Sequence, residues 1–138
     1  MRIVFYTSGI TGAGRLVIGI AIGNALKRKK INCTYTIVHT SPAGQFADEF
    51  KNIKIPLETT GELSPQRCRS SILFKTLKKL KPDVLIVNHQ WFMIYNFIDE
   101  MPCKKIYISD HAYENHFKVP LPGGDIFFNL DQYCLLYT

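Results

Sequence analysis

The sequence has few cysteines, and they do not form any pattern that builds a site. Four cysteines stand singly among 138 residues, at Cys33, Cys68, Cys103 and Cys134, and no Cys-x-x-Cys pair occurs. Zinc sites and the disulfide frameworks of small secreted domains both require clustered or regularly spaced cysteines. We therefore expect reduced thiols and no metal centre.

Long hydrophobic runs are also lacking. No apolar stretch of the sequence approaches the roughly 18 residues that a membrane-spanning helix requires. An apolar strand begins directly after Met1 and Arg2, without the basic region, apolar run and small-residue cleavage site of a signal peptide. We expect a cytoplasmic protein, with peripheral contact to a membrane surface left open as an alternative.

Acidic residues are outnumbered by basic ones, 11 to 17, and the net charge is +6. The basic residues cluster at the ends of two predicted helices, over residues 27–30 and 78–81. Cations at helix C-termini offset the helix dipole, so we interpret these clusters as ordinary solvated helix ends away from the functional site. The alternative is attraction to anionic lipid or nucleic acid. No nucleic-acid motif accompanies the clusters, and we expect no nucleic-acid partner.

The opening of the chain carries the strongest pattern. The apolar run Ile3–Tyr6 leads into Gly9, Gly12 and Gly14 and then into an apolar helix pattern. A strand, glycine-rich turn and helix in this order set backbone N–H groups and a helix N-terminus against a phosphate or sugar phosphate. The spacing Gly-x-x-Gly-x-Gly is neither the dinucleotide fingerprint nor a P-loop. The alternative is a turn kept glycine-rich for tight strand-to-helix packing alone.

Strands and helices alternate along the rest of the chain, which at 138 residues has the length of one domain. Strands are predicted over Ile3–Tyr6, Thr34–Val38, Asn52–Ile55, Asp83–Val87 and Lys105–Ile108, with Asp125–Asn129 as a candidate sixth, and helices over Arg15–Lys29, Ser64–Leu80 and Trp91–Ile98. This alternation predicts an α/β fold: a Rossmann-like, doubly wound parallel sheet in the order 3-2-1-4-5, inside three α/β/α layers.

Histidines follow several of the predicted strands. His39 follows the second strand, His89 comes after Asn88 at the end of the fourth, and Asp110 with His111 follows the fifth. Ligands of open α/β sheets bind beyond the carboxyl ends of the strands, which places these residues beside the glycine turn. We take His111, Asp110 and His89 as candidate catalytic residues, and either Asp110 or His111 could be the general base. The alternative is that polar residues simply collect in loops.

The residues from Ile3 to Arg15, followed by Gly19–Leu26, resemble the N-terminal domain of GT-B glycosyltransferases, especially the group related to the MurG-type N-acetylglucosaminyltransferases. The segment Lys81–Val87 is similar to the fourth-strand signature of the same family. The family turn often has histidine after its last glycine, whereas this chain has Arg15. Arginine stays protonated and cannot act as a base, but it can bind a phosphate oxygen.

The resemblance implies that residues 1–138 are the acceptor-binding half of a two-domain enzyme, inactive without a C-terminal donor-binding domain, which would be in the same chain or in a separate subunit. A hexosyl or N-acetylhexosaminyl group would pass from a nucleotide sugar, the co-substrate, to a hydroxyl of a sugar or lipid-linked acceptor, with no obligatory metal or other cofactor. The expected substrate-binding residues are Ser8, Gly9, Gly12, Gly14, Arg15 and Asn88. Two alternatives remain: a non-catalytic flavodoxin-like binding module and a nucleotide-dependent oxidoreductase.

The residues at the end of the second predicted strand argue against an oxidoreductase. A nicotinamide-binding fold needs an acidic residue there to hold the ribose hydroxyls. This chain continues instead with His39, Thr40 and Ser41, and the first acid, Asp48, comes too late.

Overall fold

The computed structural model of the chain describes residues 1–9, 13–109, 114–121 and 123–137. Within these residues two α-helices and eight strands follow one another, with short 3-10 turns in several connections. In chain order they are β1 (Arg2–Thr7), α1 (Gly14–Arg28), β2 (Thr34–His39), β3 (Lys51–Lys54), α2 (Ile72–Leu80), β4 (Val84–Asn88), β5 (Lys104–Ile108), β6 (Lys118–Leu121), β7 (Gly124–Phe127) and β8 (Leu135–Tyr137).

Six of the described strands form one parallel sheet in the order β3-β2-β1-β4-β5-β8. In the register of the central strand β1, Ile3 is paired with Tyr35 of β2 on one side and with Val84 of β4 on the other. The predicted α/β class and the strand order 3-2-1-4-5 are confirmed. A flavodoxin-like sheet would have the order 2-1-3-4-5, so that topology does not apply.

The sixth strand of the sheet is not the predicted one. Residues 124–127 form β7, which pairs antiparallel with β6 in a separate two-stranded hairpin. Gly123 and Gly124 have φ angles of +101° and +136°, a backbone conformation that disfavours other residues and reverses the chain here. The sixth position of the sheet is taken by β8, parallel to β5.

The sheet is covered on both faces, as a parallel sheet requires. Along β1 the side chains alternate: Ile3 and Phe5 pack in the cluster that contains Leu16 of α1. Val4 and Tyr6 pack in the opposite cluster, with Leu73 and Leu77 of α2. Each of these side chains is at most 5% exposed. The fold therefore has the predicted three layers, with α1 on one side and α2 on the other.

Two glycines let α1 lie close to the sheet. A Cβ atom added at Gly19 would come 2.7 Å from Cδ1 of Phe5, and one added at Gly23 would come 2.6 Å from Cζ of Phe50. The Tyr35 hydroxyl also donates a hydrogen bond of 2.7 Å to the Gly19 carbonyl. The absence of a side chain at these two positions therefore allows the close packing of α1 on the sheet.

The second helix begins later than predicted. The expected start at Ser64 gives way to a 3-10 turn over Cys68–Ser70, and α2 begins only at Ile72. The Ser71 hydroxyl accepts a 3.0 Å hydrogen bond from the Phe74 N–H, which makes Ser71 the N-cap. Serine at an N-cap competes with helix continuation. The helix ends at Lys81, whose φ of +46° is left-handed, immediately before Pro82.

The predicted helix over Trp91–Ile98 was wrong. The segment instead contains two 3-10 turns, Trp91–Met93 and Ile98–Glu100. Its aromatic and β-branched residues have modest helix propensity, and no side chain caps the first turn. Burial of Trp91, Ile94 and Phe97 against the sheet therefore sets the local conformation.

An ion pair joins β1 to the start of β4 at the edge where these strands begin. The Asp83 carboxylate accepts hydrogen bonds from the Arg2 backbone N–H at 2.6 Å and from Arg2 Nη2 at 3.0 Å. The hydrogen bond from the Arg2 side chain is the largest cause that lowers the pKa of Asp83, to about 2. Since the pKa in the folded state is depressed, the stabilisation is present above about pH 4 and is lost as the pH falls towards 2.

We expect Asp83→Asn to lower the free energy of unfolding slightly at neutral pH, because both partners are half exposed and the pair is screened by solvent. Urea unfolding from pH 7 to pH 2 measures the difference between variant and wild type, which should shrink as the pH falls. The exposed Asp131→Asn serves as the control. If the difference in the free energy of unfolding stayed constant down to pH 2, it would contradict the lowered pKa of Asp83.

The basic cluster at the end of α1 is partly neutralised within the fold. Lys27 Nζ lies 3.3 Å from the Glu49 carboxylate and 4.1 Å from the centre of the Phe50 ring. This arrangement fits the interpretation of the cluster as a solvated helix end.

The four cysteines are all free thiols. No helix among the described residues is long and apolar enough to cross a membrane.

Candidate functional site

A cavity of about 540 Å³ opens at the carboxyl edge of the sheet, where β1 and β4 end. It lies between the glycine turn, the first turn of α1, and the loops that follow β2, β3 and β4. Its lining includes the polar residues Thr7, Ser8, Arg15, Ser41, Glu58 and Gln90, and the apolar residues Leu16, Leu57, Leu63, Phe92 and Met93. Apolar walls with a few converging polar groups are typical of small-ligand sites in α/β folds.

The glycine turn borders this cavity. Gly9 and Gly14 both line it, and a Cβ atom added at either would meet no other atom within 4 Å. In the described part of the chain, tight packing therefore does not require glycine at these two positions, in contrast to Gly19 and Gly23 in the helix. Gly12 lies outside the described residues. The open space at the turn is available to a ligand.

Two hydroxyl side chains fix the turn to the loop after β2. Thr40 Oγ1 accepts a 2.9 Å hydrogen bond from the Gly9 N–H and donates one of 3.0 Å to the Gly9 carbonyl. Since the hydroxyl proton of Thr40 is used in this way, Ser8 Oγ is the donor in its 3.2 Å contact with Thr40. These bonds fix the backbone at Gly9, where the turn begins, against the loop after β2.

Arg15 places a positive charge at the start of α1. Its Nη1 donates a 2.7 Å hydrogen bond to the Ser8 carbonyl, which keeps the half-buried guanidinium at the cavity wall. No described side chain caps this helix, and its first turn contains no acidic residue. The guanidinium and the positive end of the helix dipole are thus combined beside the cavity. This arrangement favours an anionic group of a ligand.

Glu58 contributes the one carboxylate among the described lining residues. It follows β3, and its Oε1 accepts a 3.0 Å hydrogen bond from the Leu73 N–H in the first turn of α2. Burial is the largest influence on this group and raises its pKa, against the lowering effect of the Leu73 N–H and the nearby Ser71 hydroxyl. The pKa of Tyr6, beneath the cavity, is raised by burial and then by the charge of Glu58.

Asn88 lies beneath the cavity and does not line it. Its side chain is fully buried, accepts a 3.1 Å hydrogen bond from the Thr7 hydroxyl and donates one of 3.3 Å to the Ile108 carbonyl. These bonds tie the carboxyl ends of β1, β4 and β5 together. A substrate-binding role for Asn88 stays a prediction. In the structure its side chain connects neighbouring strands beneath the cavity.

His89 is also buried, at 1% exposure, and does not line the cavity. Its Nδ1 lies 3.1 Å from Nε2 of His116, and the Tyr107 hydroxyl lies 2.7 Å from the same Nε2. The backbone of His89 has a left-handed φ of +68°. The side chain thus belongs to a cluster of His89, Tyr107, Ser109 and His116, in which the His89–Ser109 contact measures 3.5 Å.

The remaining candidates are the two other predicted catalytic residues and the histidine that follows the second strand. Asp110 and His111 lie outside the described residues, so their roles stay predictions. His39 is fully buried, and burial is the largest cause that lowers its pKa. Its ring lies against the loop after β2, where a Cβ atom at Gly44 would come 2.8 Å from Cε1 of His39. Among the predicted site residues, the structure brings Ser8, Gly9, Gly14 and Arg15 together at the cavity.

Several residues of this region were not predicted from the sequence, among them Glu58, Gln90 and His116. Glu58 could have been found, because the rule that placed residues after strands two, four and five at the carboxyl edge applies equally to strand three. Gln90 could have been found as well, since it follows His89 directly. His116 had no such signal, because it reaches His89 only through the fold of the C-terminal segment.

No protein-family profile and no curated protein matches the chain. Among solved structures, a UGT transferase from Siraitia grosvenorii in complex with UDP is similar, with a TM-score of 0.54 and 14% sequence identity over 80% of this chain. SsfS6, a glycosyltransferase from Streptomyces sp. SF2575, gives a TM-score of 0.46 and 12% identity over 79% of this chain. The chain spans 24% of the first protein and 39% of the second. At this identity, the likeness to the first shows a shared Rossmann-like fold.

Proposed function

We propose that this chain is the acceptor-binding half of a GT-B glycosyltransferase of the MurG-like group. The reaction is transfer of a hexosyl or N-acetylhexosaminyl group from a nucleotide sugar to a hydroxyl of the acceptor. The observation that carries the proposal is the cavity at the carboxyl edge, where an open glycine turn meets Arg15 at an uncapped helix N-terminus.

The chemistry of the cavity suits a phosphorylated sugar. Its volume of about 540 Å³ lies in the range of small-ligand sites. Arg15 and the first turn of α1 provide positive charge for a phosphate group, whereas Ser41, Glu58 and Gln90 provide hydrogen-bonding groups for hydroxyls. Phe92 and Leu57 offer apolar surface for a sugar ring or the first part of a lipid. In this proposal, a second domain that faces the cavity binds the nucleotide-sugar donor.

The two alternatives receive less support. In an oxidoreductase, an acidic residue at the end of β2 would hold the ribose of a nicotinamide cofactor, but His39 occupies this end and is fully buried. A non-catalytic binding module would use the same cavity without transfer. Binding and transfer assays separate the three functions.

We expect Arg15→Ala to weaken binding of a phosphate-bearing acceptor about ten- to a hundredfold. The variant loses a charge-assisted hydrogen bond, worth roughly 1.5 to 3 kcal/mol. Isothermal titration with a short-chain polyprenyl diphosphate sugar measures the effect, and the same sugar without phosphate should show little difference between variant and wild type. Arg28→Ala, at the opposite end of α1, is the matched control and should bind normally.

Transfer is tested with the chain assembled with its donor-binding half, using UDP-N-acetylglucosamine and UDP-glucose as donors. We expect transfer of the sugar with release of UDP. Acceptor binding without transfer would favour the binding module, and tight binding of NAD or NADP would favour the oxidoreductase. Either result would overturn the proposed function.

A further inference from the structure

The cavity contains a group that can accept a proton. Among its described lining residues, Thr7, Ser8 and Ser41 carry neutral hydroxyls, Gln90 carries an amide, and Arg15 is a permanent cation. None of these is a base at neutral pH. Glu58 is the remaining polar side chain of the lining, and its carboxylate can take a proton.

The carboxylate of Glu58 is held through one oxygen, and the other oxygen lacks a well-formed hydrogen bond to the described residues. Oε1 accepts the 3.0 Å hydrogen bond from the Leu73 N–H, which fixes the side chain to the start of α2. Oε2 is buried and accepts no hydrogen bond of ordinary geometry from the described residues, although the Ser71 hydroxyl is close enough to lower the pKa of the carboxyl group. A buried polar atom without a partner calls for an explanation, and a ligand hydroxyl that completes its hydrogen bonding provides one.

The histidines near this edge do not compete for the role among the described residues. His39 and His89 are at most 1% exposed, and neither lines the cavity. His89 Nδ1 faces His116 instead of the open space. The proton acceptor that the cavity offers is therefore on the loop after β3.

We propose that Glu58 is the general base of the glycosyl transfer, an inference that rests on the proposed function. The acceptor hydroxyl gives its proton to Oε2 of Glu58 while its oxygen forms a bond to the anomeric carbon of the donor sugar. The bond between that carbon and the phosphate oxygen breaks, and the nucleoside diphosphate leaves with the electron pair. This single displacement inverts the anomeric configuration.

The charges around Glu58 support this role. Burial, the largest effect, and the nearby Glu62 raise its pKa, whereas the hydrogen bond from the Leu73 N–H and the nearby Ser71 hydroxyl lower it. Arg15 faces the same cavity from α1 and supplies a positive charge. A carboxyl group with a pKa above its usual value is a stronger base, because the efficiency of general-base catalysis increases as the pKa approaches the working pH.

Glu58→Gln separates the proposed role from a structural one. The amide oxygen of glutamine can still accept the hydrogen bond from the Leu73 N–H, but the amide cannot accept a proton. In the enzyme assembled with its donor-binding half, we expect kcat to fall about a hundredfold or more and KM for the acceptor to stay within about threefold. The acidic limb of the pH profile of kcat should disappear.

The control is Glu62→Gln, which replaces a carboxylate four residues away that caps a 3-10 turn at Thr59 and does not line the cavity. It should retain wild-type kcat and an acidic limb, which should move slightly to lower pH because the charge of Glu62 no longer raises the pKa of Glu58. Glu58→Ala should recover part of its activity when formate is added, since a small carboxylate can replace the missing base.

If Glu58→Gln fails to fold, Glu58→Asp is used in its place. The kcat of this variant should fall, and the acidic limb of its pH profile should still be present.

The outcomes distinguish this inference from the proposed function. Normal transfer by the wild type together with unchanged kcat in Glu58→Gln would overturn the role of Glu58 and leave the function intact. A product with retained anomeric configuration would do the same. Absence of transfer by the wild type, with no acceptor binding, would overturn both.

Discussion

Trp91→Ala should lower the free energy of unfolding by about 3 to 5 kcal/mol, the usual cost of truncating a buried tryptophan. The indole is 1% exposed and makes edge contacts with the rings of Phe92, Tyr95 and Phe128, with centroids 5.6 to 6.0 Å apart. Its Nε1 donates a 3.0 Å hydrogen bond to the His116 carbonyl. Trp91, in the loop after β4, thus contacts the segments before and after the hairpin formed by β6 and β7. Urea denaturation followed by circular dichroism measures the loss.

Two further variants make this measurement specific. Phe46→Ala removes an aromatic side chain that is 61% exposed, and it should change stability by less than about 0.5 kcal/mol. Trp91→Phe keeps a buried ring and removes the indole N–H, so its loss should fall between those of the other two variants. A loss below 1 kcal/mol for Trp91→Ala would show that the indole does not fill the core as described.

Gly19→Ala is expected to destabilise the protein by about 1 to 3 kcal/mol, the range typical of overpacked cores. In an open helix the same change stabilises by roughly 1 kcal/mol, because alanine has the higher helix propensity. Here the new methyl group would lie 2.7 Å from Cδ1 and 2.8 Å from Cε1 of Phe5, a ring with no exposed surface. The ring cannot move without displacing β1. Chemical denaturation gives the sign of the effect.

Gly14→Ala is the matched control, since a Cβ atom there meets nothing within 4 Å. It should leave the free energy of unfolding unchanged or raise it. Phe5→Leu should also relieve the clash, so the double variant should lose less stability than the two single losses added together. A stabilising Gly19→Ala would contradict the close contact between α1 and β1.

The arrangement of the sheet could be predicted because its strands carry a strong local signal. Residues 84–87 form an apolar run, which is typical of a strand covered on both faces. The right-handed connection rule then leaves few possible orders for strands that alternate with helices. The start of α1 and the location of Gly9, Gly14 and Arg15 at the carboxyl edge could be predicted for the same reason, as these residues follow β1 closely in the chain.

The C-terminal third was harder to predict, because its conformation depends on contacts distant in sequence. The segment 91–98 contains enough apolar residues for a helix, but their packing against the sheet decides the backbone. The strand at 124–127 has a clear strand pattern, and nothing in it distinguishes a hairpin from a sheet. Glu58 follows β3 closely, so the rule that places ligand-binding residues beyond the carboxyl ends of the strands applies to it as well.

The pairing of β1 with β4 also has a kinetic consequence. The hydrogen-bonded residues Thr7 and Asn88 are 81 positions apart, so the centre of the sheet joins segments far apart in the chain. Bringing them together costs loop-closure entropy before any core contact compensates for it. During synthesis, β1 must wait for more than half of the chain to leave the ribosome before its neighbour β4 exists. In that interval β2 and α1 can already cover one edge and one face of β1, whereas Val4 and Tyr6 on the other face remain unprotected until α2 is made, which favours aggregation of partly folded chains.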